Sequence, residues 1–120
     1  MKATITSLIF LLLSLTVSSQ TYKYIGIEEG LSNQKIYKIQ KDARGYMWFL
    51  THVGIDQYNG KEIKHYKLRE GNRELDPLLN INWTFLDKTG TLLVTGKQGR
   101  IFRYDSGHDR FVQIYNMYNY

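Results

Sequence analysis

The sequence predicts an all-β protein in which one small unit is used twice, and three observations predict it. The stretch Asp42–Gly54 reads DARGYMWFLTHVG and Asp87–Gly99 reads DKTGTLLVTGKQG. Both open with Asp-x-x-Gly, run through a mostly apolar segment and close on Gly, 45 residues apart. Helical periodicity is hard to find, whereas short β-prone runs bounded by Gly, Asn and Asp are common. The third observation is that the middle runs, Tyr-Met-Trp-Phe-Leu-Thr above all, are apolar on both faces, and such a strand must be covered on both sides. A four-stranded meander of about 40 to 45 residues, sandwiched between neighbours, is the unit of a propeller. The predicted fold is an incomplete β-propeller of two four-stranded antiparallel blades behind an N-terminal signal peptide.

The elements follow in chain order. Met1-Lys2 gives a positive start, Ile5 to Val17 carries no charge, and Val17-Ser18-Ser19 suits a cut between Ser19 and Gln20. That is a secretory signal peptide over 1–19, too short for a membrane span, and no Cys follows for a lipid anchor. Residues 20–32 form a leading strand and linker, and Tyr22 to Ile27 would add an outer strand to the last blade of a closed ring. Blade one, 33–75, takes strands Ile36–Gln40, Tyr46–Thr51, Gly54–Tyr58 and Glu62–Tyr66. Asn59-Gly60 is a hairpin signal because both residues tolerate positive φ. Arg73 to Pro77 reads as a turn between units. Blade two and a truncated C-terminus occupy 76–120, with strands Ile81–Leu86, Thr91–Thr95, Arg100–Tyr104 and Arg110–Ile114. The repeat is carried by Asp42, Gly45, Trp48, Gly54 and Tyr58, matched by Asp87, Gly90, Leu93, Gly99 and Tyr104. Tyr66 meets Phe111 at the common offset. Tyr58 meets Tyr104 only with one residue inserted, in the third strand of the second unit or the turn before it.

Composition excludes several classes of function. The formal charge is +5, but the charges are scattered, and the most basic window, Lys61 to Arg73, is broken by Glu62 and Glu70. No basic stripe for nucleic acid is present. There is no Cys, and His52, His65 and His108 lack metal-ligand spacing. The chain shows no nucleophile motif, and Glu28-Glu29 on a strand would point to opposite faces. No catalytic residue, metal or cofactor is assigned. Asp42 and Asp87 read as turn formers. Trp48 reads as blade packing rather than a sugar platform, and the recurring Tyr58, Tyr66, Tyr104 and Phe111 as scaffold. Residues that do not repeat are the ligand candidates: His52, Val53, Lys97 and Gln98, in the turn after the second strand of each blade.

Gly30-Leu31-Ser32-Asn33, Ile36, Ile39, Asp42, Gly45, Met47-Trp48-Phe49, Thr51, Gly54-Ile55 and Tyr58-Asn59-Gly60 resemble the two-component regulator propeller repeat. Its pattern runs Gly-Leu-Ser-x-Asn, a strand ending in Asp-x-x-Gly, then Leu-Trp-Phe-Gly-Thr, Gly-Leu and Tyr-Asp. Here Leu50 stands for the Gly before Thr51, Ile55 for Leu, and Leu93 for the Trp of the second copy, where Arg103-Tyr104-Asp105 fits. The resemblance covers Tyr22 to about Ile114. It implies the periplasmic sensor region of a hybrid two-component system, typical of Bacteroidetes. There many repeats form two propellers ahead of a Tyr-rich β-sandwich, a membrane helix and a histidine kinase that signals by phosphorelay. Many such sensors respond to oligosaccharides.

With two repeats and no kinase, the chain is expected to be the N-terminal piece of such a sensor. An oligosaccharide would be the ligand of the full-length protein, and this chain would have no catalysis of its own. The alternatives are a piece of a secreted propeller enzyme acting on polysaccharide, or a non-functional remnant. Each blade having at most one neighbour, residues among Met47, Trp48, Phe49, Leu92, Leu93 and Val94 are expected to stay exposed. The two blades alone would then be marginally folded or self-associating through exposed blade faces, with no sugar affinity.

Overall fold

A computed structural model describes residues 1–5, 7, 19–76 and 81–117. Most of the apolar run Ile5–Val17, and Pro77, lie outside the described residues; Ser19 and Gln20 are irregular and exposed. Four strands, β1 Ile36–Lys41, β2 Met47–Thr51, β3 Gly54–Tyr58 and β4 Ile63–Tyr66, make one antiparallel sheet in chain order. A small hairpin, β5 Arg69–Glu70 with β6 Arg73–Glu74, follows. The second sheet is β7 Ile81–Leu86, β8 Leu92–Gly96, β9 Arg100–Asp105 and β10 Arg110–Asn116, again a meander. Apart from a helical turn at residues 2–5 and 7, and one 3-10 turn, the regular structure of the described residues is antiparallel strand, as two propeller-like blades require.

The Asp-x-x-Gly turns show why the sequence repeats. Asp42 Oδ1 accepts the backbone N–H of Arg44 and Tyr46 at 2.9 and 3.0 Å, and Asp87 Oδ1 accepts those of Thr89 and Thr91 at 2.8 and 3.0 Å. Gly45 and Gly90 take φ of +89° and +75°, a region that excludes most side chains. The second carboxylate oxygen differs between blades. Trp48 Nε1 donates to Asp42 Oδ2 at 2.8 Å. Leu93, at the matching position, has no donor, and Arg103 Nε reaches Asp87 Oδ2 at 3.1 Å instead.

Two details of the sequence reading are corrected. Asn59 does not take positive φ; only Gly60 does, at +98°. Asn59 Oδ1 instead accepts the N–H of Lys61 and Glu62 at 2.9 and 3.0 Å, so a side chain closes this turn. Nor does Phe111 match Tyr66. Tyr58 pairs with Ile63, and Tyr104 with Phe111, so Phe111 stands in the register of Ile63. The inserted residue lies in the turn between β8 and β9. Thr51 pairs directly with Gly54, whereas Lys97–Gly99 form a single 3-10 turn with Gln98 and Gly99 at φ +65° and +67°.

Strand alternation gives each sheet two faces. In blade one the rows Lys38–Leu50–Ile55–Tyr66 and Gln40–Trp48–Gln57–Lys64 face blade two, and Ile39–Phe49–Asp56–His65 faces away. In blade two Thr84–Val94–Phe102–Gln113 faces blade one. The core lies between the sheets: Trp48, Leu50, Ile55 and Tyr66 meet Leu92, Val94, Phe102, Tyr104 and Phe111. Leu68 and Leu75, flanking the small hairpin and joined by Leu75 N to Leu68 O at 2.9 Å, complete it. Trp48 packs edge-on to Tyr104 with centroids 4.8 Å apart, and lies 5.4 Å from Tyr66. Polar bonds join the sheets at the rim of the β1–β2, β7–β8 and β9–β10 turns. Ala43 N donates to Gly90 O at 3.0 Å. Asp109 accepts Tyr66 Oη and Tyr104 Oη at 2.6 and 2.7 Å, and pairs with Lys64 Nζ at 3.1 Å.

The expected exposure of the strand centres is not found. Trp48, Phe49, Leu92, Leu93 and Val94 are all buried, and Met47 is half-buried. The reason on blade one is the leading segment, which forms no strand. Leu31 is buried, and a Cβ on Gly30 would stand 3.6 Å from Ile63 Cβ. Ser32 N and Ser32 Oγ both donate to Asp56 Oδ2 at 2.8 Å. Residues 26–32 thus strap the face of blade one that has no neighbouring blade.

Candidate functional site

The candidate residues from sequence fall at one rim. His52 sits in the turn from β2 to β3, and Lys97 and Gln98 in the turn from β8 to β9. The structure treats them differently. His52 lines a cleft of about 190 Å³ with Tyr37, Leu50, Thr51, Ile81, Asn82 and Trp83. Lys97 and Gln98 are exposed and do not line it. Their turn is met by the tail after β10, where Met117 N donates to Gly99 O at 3.2 Å. Val53 is exposed beside His52 and is also outside the cleft lining.

The cleft lies at the seam of the two blades, where the first strands, β1 and β7, run side by side. Leu50 and Thr51 are buried at its base, at the end of β2. Two aromatic rings stand in solvent around it: Tyr37 is 48% exposed and Trp83 is 52% exposed. Bulges in both ladders, between Ile36 and Lys38 and between Ile81 and Trp83, fall where these rings project, and a bulge re-aims a side chain at a strand edge. Tyr37 stacks on His52 with centroids 5.9 Å apart, and Tyr37 Oη meets His52 Nδ1 at 2.5 Å. Either group can donate in that contact, and His52 Nε2 is the second polar atom of the ring. Lys35 and Lys38 flank the rings. Lys35 Nζ is 5.5 Å from the Tyr37 centroid and Lys38 Nζ 4.4 Å from that of Trp83. Lys38 Nζ also donates to Thr84 O across the seam.

Sequence reasoning missed Tyr37, Trp83, Lys35 and Lys38. The signal was available. At the offset of the repeat Lys38 meets Trp83 and Tyr37 meets Asn82, so these positions fail to repeat, as His52 does.

A second polar cluster surrounds Asp56, which is fully buried. Besides Ser32, it holds His65 Nδ1 at 2.8 Å, and Ser32 Oγ lies 3.0 Å from Thr51 Oγ1. Ser, His and Asp therefore meet, but Ser32 Oγ donates to the carboxylate and not to the imidazole. A nucleophile needs the base on its own proton, so this is a clamp for the strap. Among the described residues no group of His, Cys, Asp or Glu could hold a metal ion.

The remaining perturbed groups belong to the scaffold. Hydrogen bonds from the hydroxyls of Tyr66 and Tyr104 hold the Asp109 carboxyl below the usual range, while burial pushes both phenols up. The Thr89 hydroxyl and the turn amides bring Asp87 down to about 2. Glu70, lowered chiefly by its bond from Arg73, also receives Arg100, a buried side chain, at 3.1 Å.

Paired meanders and a turn written twice define an incomplete propeller-like all-β fold. The segment 30–52, from the strap to His52, matches the two component regulator propeller family, so the first blade carries a two component regulator propeller repeat. No curated protein matches the chain.

Proposed function

We propose that the chain is the ligand-recognising blade pair of an exported sensor of a two-component system, acting in the periplasm and reading oligosaccharides without catalysis. The carrying observation is the cleft at the blade seam, with the rings of Tyr37 and Trp83 turned to solvent. Exposed aromatic rings cost apolar burial, and flat aromatic faces suit the C–H face of a sugar ring. His52 Nε2 and Asn82 at the rim supply hydrogen-bonding groups for hydroxyls. A site built on two adjacent blades changes with their angle, which is how a propeller sensor would pass binding on to the rest of its protein. The expectation that two blades alone have no sugar affinity assumed a site assembled from several blades; this cleft needs only two.

The test uses the full chain expressed with its own N-terminus and recovered from the periplasmic fraction. Its first residue is expected to be Gln20. A panel of oligosaccharides is then titrated against tryptophan emission, because Trp83 is exposed while Trp48 is 2% exposed. At least one sugar class should quench the emission, with no new reducing ends after prolonged incubation. Product release would make the chain an enzyme, and silence across the panel would remove the sugar reading.

A further inference from the structure

The cleft has a charge as well as a shape. Its seven lining residues include no carboxylate, and the two rings each carry an ammonium group beside them, Lys35 on Tyr37 and Lys38 on Trp83. Such ammonium groups are held near an aromatic face by its quadrupole. Lys38 uses one donor on Thr84 O, and an ammonium has three. The rim is therefore donor-rich and cationic. At about 190 Å³ the cleft is below the roughly 300 Å³ at which drug-sized sites begin, so it takes one ring.

We propose that this cleft recognises a single acidic sugar ring of an oligosaccharide. Tyr37 and Trp83 hold the ring, and Lys35 and Lys38 meet its anionic substituent, a uronate carboxylate or a sulfate ester. The proposal rests on the sugar-sensing reading above and adds the charge of the ligand. A neutral ring would leave both ammonium groups without a counter-charge. An acidic ring supplies one where the walls are apolar and screening is weaker than in open water.

The experiment titrates the full chain with three probes of matched length: a neutral oligosaccharide, a uronate oligosaccharide and a sulfated one. Tryptophan emission is read at low and at raised salt. The acidic probes should bind more tightly than the neutral one, and that advantage should shrink as salt rises. Lys35→Gln, at an exposed residue, should cut acidic affinity up to about fivefold, the worth of an exposed charge pair, a larger loss than for the neutral probe. Lys38→Gln should do the same and also change Trp83 emission without ligand. Thermal unfolding of each variant separates these effects from misfolding. Preference for one acidic probe names the anion, carboxylate or sulfate. Equal binding of all three probes, unaffected by Lys35→Gln and lost in Tyr37→Ala, would overturn the charge assignment and keep the sugar site. No binding by any probe would overturn both.

Discussion

At the scale of single residues, the two blades differ most in how they satisfy one carboxylate. Asp42 is buried, and its two oxygens take two turn amides and the Trp48 indole. Asp87 is half-buried and uses Arg103 for the same purpose. Trp48 therefore has two roles, filling the core against Tyr66, Tyr104 and Phe111 and holding a buried anion. Trp48→Phe keeps most of the ring but removes the donor. Losing a hydrogen bond to a charged group costs about 1.5–3 kcal/mol, and the fall should appear in the urea unfolding midpoint. The equivalent change Leu93→Phe touches no carboxylate and is expected to cost less. Equal losses would mean that the indole acts by volume alone. The core reading of Trp48 was legible because the residue sits at a strand centre between apolar neighbours. Its bond to Asp42 was not, because a sequence shows a turn former and a core aromatic as separate signals.

At the scale of elements, the repeat hides one asymmetry that substitution exposes. Gly45 and Gly90 close the same turn with similar positive φ. A Cβ on Gly45 would meet nothing nearer than Lys41 Cε at 4.0 Å, whereas one on Gly90 would stand 2.4 Å from Ala43 Cβ. The first turn is free and the second is pressed into its neighbour. Gly45→Ala is expected to cost about 1–2 kcal/mol for the left-handed conformation. Gly90→Ala adds roughly 1–3 kcal/mol of overpacking, because Ala43 must move and its bond to Gly90 O weakens. Chemical denaturation of the two variants side by side checks this, and equal losses would show that the blades do not press together at this turn. Strand positions were legible here, since period-two patterns and Gly-closed turns are local. The strap was not. Ser32 finds Asp56 across 24 residues, and a buried Asp in β3 reads as an ordinary strand-surface residue until its partner is placed. The linker hairpin, β5 and β6, was missed because each strand has only two residues.

For the whole molecule, the question is what becomes of the sheet face that no element among the described residues covers. Blade one is closed on both sides, by blade two and by the strap. Blade two is closed on one. Its outer face is made of two rows, Phe85–Leu93–Arg103–Val112 and Thr95–Ile101–Tyr115. Leu93 is buried within it, but Phe85, Val112 and Tyr115 are exposed, and Arg103 is already paired with Asp87. That is an apolar surface with its main charge neutralised, the kind that associates. Its size limits the strength. Four strands about 4.8 Å apart and some five residues at about 3.3 Å each give roughly 300 Å² per copy, well below the ~800 Å² per partner of a stable interface. The strap limits the geometry, since a chain with one open face can pair with a second copy but cannot extend into a filament. The full chain is therefore expected to show weak, concentration-dependent pairing in sedimentation, stopping at two copies. Val112→Lys lies outside the cleft and should abolish the pairing while leaving the unfolding midpoint within about 0.5 kcal/mol. Higher oligomers would mean that the strap leaves blade one in solution, and a pair that survives Val112→Lys would place the contact elsewhere.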